Sequence, residues 1–296
     1  MGDAVGSGRG ILAERLHTNA AAYTQPCMSN THSTGHAHSS GTEIVSIGTE
    51  LLLGRIQDTN SFWLAEQIAD LGGSVSRITV VGDDQATIVD ALRDGIARRA
   101  STILTTGGLG PTPDDLTVAA VAELMGVGTV VDRPTVEDYL RRRAIREEDL
   151  TAALKRMASV PAGTAVFPSP AGWAPLIRAE VDGCAMFLLP GPPQEVRAIF
   201  ARYLADYFAG DRGSRGLAHR VYVDMWESEV SPLLQRVMDE VPGTYCKGYI
   251  ALGNQRFLPI DVVARGTDHA SARASLERAL DLLAGLVAEV GRELQR

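Results

Sequence analysis

Short apolar runs alternate with helix-patterned runs, and glycine with acid marks each junction; no other feature restricts this chain as much. Residues 43–47 read as a strand ending on Gly48-Thr49-Glu50. A polar turn over residues 54–60 leads to a helix with Phe62, Ala65, Ile68, Ala69 and Leu71 at helical spacing, closed by Gly72-Gly73. Residues 75–81 make a second strand before Gly82-Asp83-Asp84, and Ile88, Ala91, Leu92 and Ile96 mark the next helix. The third strand is 101–106. Such alternation predicts a parallel sheet covered on both faces. Right-handed crossovers place the loops after the strands on one edge, where open α/β sheets bind ligands. The loops at 48–54, 82–84 and 107–115 are therefore expected to converge.

The third loop, Thr105-Thr106-Gly107-Gly108-Leu109-Gly110-Pro111-Thr112-Pro113-Asp114-Asp115-Leu116-Thr117, carries the most chemistry. Its glycines allow close approach of backbone to ligand. A helix is expected over 114–125, which puts Asp114 and Asp115 at its start, where N–H groups favour an anion. The loop is not a Walker A sequence, which needs Gly-Lys-Ser/Thr, nor a full G-x-G-x-x-G fingerprint. Thr105, Thr106, Thr112 and Asp115 add hydroxyls and a carboxylate that complement phosphate and metal. Glycines that admit phosphate beside carboxylates that repel it point to a bridging cation. Asp83 and Asp84 allow two readings, a helix N-cap or a partner of Asp115 as magnesium ligand or acid/base group. Gly48, Thr49, Glu50, Asp58 and Asn60 form another acidic, amide-bearing loop, for which a helix cap at Asp58 or Thr59 is the alternative reading. Gly191 and Pro192 follow a strand at 185–189 and either make a rigid turn or pre-shape the ligand edge.

A chain of 296 residues has room for more than one domain. Its net charge of −8 argues against broad attraction to nucleic acid or anionic membrane. Cys27, Cys184 and Cys246 lack metal-ligand spacing and fit a reducing compartment. No apolar run is long enough to span a membrane, and no secretory leader is evident; a cytoplasmic protein is expected. Residues 1–41 read as a disordered polar extension. Its His32, His36 and His38 could be a metal tract, though no scaffold would hold them. Residues 134–157 predict an exposed, charged helical arm whose Arg141-Arg142-Arg143 fits a solvated face or subunit contact better than a phosphate site. Asp182-Gly183 marks a hairpin tip between 176–180 and 185–189. After a linker at 211–216, the order β-α-β-β-α over 217–296 describes a small α+β unit.

Ile47-Gly48-Thr49-Glu50-Leu51-Leu52-Leu53-Gly54, Asp58-Thr59-Asn60, Val81-Gly82-Asp83, the 106–117 loop and Leu189-Pro190-Gly191-Pro192-Pro193 together closely resemble the CinA (competence/damage-inducible protein A) family. Its amino-terminal domain is similar to the molybdopterin-binding domain of MoaB and MogA. The resemblance implies a three-layer α/β/α domain with a mostly parallel sheet over 42–210, followed by a smaller α+β, KH-like domain over 217–296. No Gly-x-x-Gly loop accompanies the latter, so support or homo-oligomer contact is expected of it rather than nucleic-acid binding. The resemblance also implies a small nucleotide or pterin ligand such as molybdopterin, and a divalent metal ion such as Mg²⁺. Metal-dependent cleavage of an ADP-ribose-type diphosphate would rest on Asp83 and Asp115 as catalytic and metal-binding residues. Gly107, Gly108 and Gly110 would cradle phosphate; Gly48, Thr49, Glu50, Asp58, Asn60, Thr106, Thr112, Gly191 and Pro192 would meet the ligand. With the chain ending at Arg296, the family's second domain, a nicotinamide-mononucleotide deamidase, is not expected. Pro168-Ser169-Pro170 replaces the family's Pro-Asn segment. The alternatives are a molybdopterin binder without turnover in cofactor biosynthesis and an interaction module in 217–296.

Overall fold

The computed structural model describes residues 40–209, 215–250 and 257–295, with Ser40, Arg143 and Arg215 described for backbone alone. The extension predicted for 1–41, with its histidines, falls almost wholly outside the described residues.

The first three strands follow the predicted order, as β1 (Ser40–Ile47), β2 (Val75–Val81) and β3 (Ala100–Thr106). A one-turn α1 (Thr49–Leu52) precedes α2 (Thr59–Asp70), and α3 (Gln85–Ala97) crosses from β2 to β3. The next helix, α4 (Thr117–Met125), begins three residues later than expected. Its start at Thr117 leaves Asp114 and Asp115 in the loop and outside the helix, because Asp115 takes its hydrogen bonds from the loop itself.

The charged arm is a folded insertion. A two-stranded antiparallel ladder, β4 (Thr129–Val131) with β5 (Ser159–Pro161), closes its base. Between them lie α5 (Arg133–Arg143), a short 3₁₀ turn and α6 (Ala152–Met157). Val136, Tyr139, Leu150 and Ala158 form a small core of their own, and Tyr139 Oη donates to the Trp173 carbonyl at 2.6 Å. The arm is thus only exposed on its outer face. Arg141 and Arg142 both pair with the buried Asp138, which ties the basic cluster to the arm.

After β6 (Ala165–Phe167), the predicted hairpin appears as β7 (Leu176–Val181) and β8 (Cys184–Leu189). Asp182 and Gly183 both have positive φ, 50° and 79°, which is what a twist-matched two-residue turn needs. The central sheet runs β2-β1-β3-β8-β7-β6. Its first four strands are parallel and the last two antiparallel. Ile103, Leu92, Ile88 and Val121 fill the core on the α3–α4 face. Ile44, Leu104, Phe187 and Leu64 fill the other, joined by α7 (Pro193–Ile199) and, after a π turn, α8 (Ala205–Ala209). The layering is α/β/α.

A second, antiparallel sheet is ordered β10-β11-β9-β12, from β9 (Arg215–Val223), β10 (Thr244–Gly248), β11 (Leu258–Gly266) and β12 (Leu294–Gln295). Helices α9 (Glu227–Glu240) and α10 (His269–Glu289) pack against it around Val237, Ile260 and Leu283. Gly291, with φ 74°, turns the chain out of α10 before β12.

One charged pair braces the parallel sheet from below. Glu43 on β1 is 3% exposed and accepts two hydrogen bonds from Arg98, at 2.8 and 2.7 Å. Removing one partner of such a pair strands a buried charge and costs about 3–5 kcal/mol. Arg98→Ala should therefore lower the unfolding free energy by about 3 kcal/mol in urea titration.

Candidate functional site

The carboxyl ends of β1, β2, β3 and β8 open onto one cleft of about 540 Å³. Their loops are laced together by the backbone: Gly48 N donates to the Val81 carbonyl at 3.0 Å, and Gly107 N to the Leu189 carbonyl at 3.1 Å. Gly48, Glu50, Asp58, Asn60, Asp83 and Thr106 line one part of the cleft. Gly107, Gly108, Gly110, Thr112, Asp115, Gly191 and Pro192 line the rest. Thr49 does not line it. Its N–H donates to Asp83 Oδ2 at 2.7 Å, and its hydroxyl accepts from Asp83 N at 3.1 Å, so it holds the aspartate in place.

The glycine loop is shaped by its neighbours in the chain as much as by any ligand. Gly107 has φ +100°, and a Cβ there would lie 2.1 Å from the Ile47 carbonyl oxygen. A Cβ on Gly108, at φ +68°, would lie 2.1 Å from Thr117 Oγ1, the hydroxyl that donates to the Gly107 carbonyl at 2.8 Å. Asp115 then gathers the turn. Oδ1 accepts from Gly110 N at 2.7 Å; Oδ2 accepts from Thr112 N at 2.7 Å and from Thr112 Oγ1 at 2.6 Å. Asp114 is exposed, and its hydrogen bond with Thr112 holds its carboxyl below the usual range.

The ambiguous aspartates separate. Asp84 caps α3 through Thr87 N at 2.9 Å, and the same residue's amide and hydroxyl depress its pKa. Asp83 faces the cleft. Asp58 does both, capping α2 through Ser61 N at 3.0 Å while lining the cleft. Asn60 straps two strand ends together, as its Nδ2 donates to Thr106 Oγ1 at 2.9 Å and to the Gly191 carbonyl at 2.7 Å. Thr106 Oγ1 passes its own hydrogen to the Pro190 carbonyl at 3.1 Å. Thr105 is buried, with no hydrogen-bond partner for its hydroxyl among the described residues, and does not line the cleft. Ser169, in the segment that departs from the family pattern, is buried and accepts from Gly172 N at 2.9 Å, so it organises its own turn.

Three contributors carry no signal in the sequence. Glu195, in the first turn of α7, lines the cleft with its carboxylate pressed against Gly172, where a Cβ would come within 1.9 Å of it. Burial pushes its pKa up, partly offset by the Trp173 amide and by Arg142. Met157 and Arg156 arrive on the arm; Arg156 Nη1 donates to the Pro111 carbonyl at 3.1 Å. Only the arm's folding back could reveal them. Among the described residues, the lining of the cleft includes six carboxylates, from Glu50, Asp58, Asp83, Asp114, Asp115 and Glu195, and no Lys or Arg.

Asp115→Asn would turn an amide donor toward an N–H already pointing at it, a conflict worth about 1–3 kcal/mol, so the variant should melt several degrees lower. Glu195 has a raised folded pKa, so its ionisation opposes folding, and its contribution to stability falls as pH rises through that value. Glu195→Gln should flatten the pH dependence of the melting temperature just above the ordinary carboxylate range.

Similarity to known proteins agrees with this geometry. The family described as "Probable molybdopterin binding domain" matches residues 43–209. A protein of Pyrobaculum aerophilum is 35% identical over 249 residues, covering 82% of this chain and 93% of its own length. A CinA-like protein of Synechococcus is 36% identical over 205 residues; the match covers 69% of this chain and 48% of the relative, so this chain spans about half of that protein. The crystal structure of CinA from Thermoplasma acidophilum, titled as of unknown function, aligns with TM-score 0.52 and 30% identity over 56% of this chain and 96% of that one. The chain belongs to the molybdopterin-binding domain family, and within it to the CinA-like proteins.

Proposed function

We propose that the cleft binds a phosphate-bearing pterin or nucleotide and that the protein hydrolyses a nucleotide diphosphate, of the ADP-ribose type, with a divalent metal ion. The observation that carries the reading is the charge of the lining. A diphosphate cannot rest among six carboxylates with no basic side chain unless a cation accompanies it.

The residues fit such an ion. Asp83 uses one oxygen on Thr49 N, which leaves Oδ1 for a ligand. Asp115 accepts three hydrogen bonds on two oxygens, which leaves a lone pair. No cluster of three acidic, His or Cys side chains suited to a metal occurs among the described residues. A closed protein cage is therefore not the arrangement; one or two carboxylates plus phosphate and water is the ordinary habit of Mg²⁺. When bound, the ion would neutralise phosphate charge and lower the pKa of a coordinated water. Asp83, held by two hydrogen bonds to Thr49, orients that water's surroundings. The loop from Gly107 to Thr112 supplies backbone close to the phosphates, and Asn60 keeps the β3 and β8 ends at a fixed separation.

The heavy use of Asp115 within its own loop also favours the second reading, a binder without turnover. Purified full-length protein assayed with ADP-ribose, FAD and molybdopterin-AMP, with and without Mg²⁺ or Mn²⁺, decides between them. Turnover that depends on metal and drops by about 100-fold in Asp83→Asn, the scale of losses at metal-supporting groups, is expected. Folded protein that binds but turns over none of the three with any metal would leave the binder.

A further inference from the structure

We propose that a second cavity, behind the glycine loop, is another compartment of the same site. It takes the planar ring at the far end of a two-ended diphosphate, with Arg156 pairing with the phosphates. The inference rests on the reading of the cleft as the site of a phosphate-bearing ligand.

The second cavity measures about 340 Å³ and shares Gly108, Leu109, Gly110, Asp115 and Met157 with the cleft. The loop thus borders both spaces. Their characters differ. The cleft is acidic, whereas the second space is walled largely by Leu116, Val118, Pro175 and Ile177, with Arg156 as the sole basic side chain among the described residues lining either space. Apolar walls suit a planar heterocycle, whose faces gain burial without needing hydrogen bonds.

Arg156 stands apart from four other arginines of the arm. Arg133, Arg141, Arg142 and Arg146 each pair with a carboxylate on the arm itself. Arg156 has no carboxylate within salt-bridge distance among the described residues, and its one hydrogen bond, to the Pro111 carbonyl, pins it over the loop. A guanidinium has five N–H donors, so four remain. Their planar fork matches phosphate oxygens, and Arg156 lines the second space beside the loop that both spaces share. The cleft's lack of cations makes this position the place where an arginine changes the charge balance most. A ligand with a single ring fills one space; a diphosphate with a ring at each end fills both.

Titrating full-length protein with FAD and with ADP, each with Mg²⁺, by calorimetry and flavin fluorescence tests the proposal. FAD is expected to bind at least tenfold tighter than ADP, with a blue shift in flavin emission as the ring leaves water. Ala119→Phe, which fills the second cavity from α4, should remove that preference. Arg156→Gln, an exposed helical change that leaves the fold intact, should weaken both ligands by tenfold or more. Equal affinity of FAD and ADP in the parent, or unchanged affinities in Arg156→Gln, would overturn it. If Ala119→Phe does not fold, Ala119→Leu takes its place, and a tenfold preference surviving in the folded variant counts against the proposal. Loss of the FAD preference with ADP still bound leaves the cleft reading standing; no binding of either ligand removes both.

Discussion

The close approach of Gly107 to the end of β1 is the contact on which the rest of the site depends. With no side chain at that position, the β3 loop passes against the Ile47 carbonyl while its own N–H reaches Leu189. Three neighbouring strand ends are thereby fixed at one point. A left-handed backbone at Gly107 and Gly108 is costly for any other residue, by about 1–3 kcal/mol each from conformation alone, before the steric conflict. The glycines are therefore structural requirements first.

From that anchor the loop closes on itself. Asp115 replaces a helix cap with three hydrogen bonds to its own turn, and Thr117 ties the turn to α4. The consequence is a rigid rim carrying carboxylates that are already partly satisfied. Asp83, by contrast, is steadied by Thr49 through one carboxylate oxygen and lines the cleft. Two acids that look equivalent along the chain therefore differ in what they can do: Asp115 shapes, and Asp83 is available.

Much of this was legible in the sequence, because alternating strand and helix periodicity dictates a parallel sheet and a parallel sheet dictates one ligand edge. The grouping of Gly48, Asp83 and Gly107 followed from topology, whereas Asp58 and Gly191 joined it through the family resemblance. The start of α4 was not legible, since an Asp-Asp pair before an apolar run looks like a helix start whether its carboxylates cap the helix or the loop. The arm was read as solvated because its arginines are dense. Its small core around Tyr139 rests on a long-range contact with Trp173, which no local pattern encodes. For the same reason Arg156, Met157 and Glu195 stayed hidden: tertiary folding alone brings them to the loop.

The central claim is that phosphate reaches this acidic cleft only in the company of a cation. Calorimetric titration of the full chain with ADP-ribose, in Mg²⁺ and again in EDTA, tests it most directly. The account predicts measurable affinity with Mg²⁺ and a loss of at least tenfold without it. Equal affinity in EDTA would contradict it.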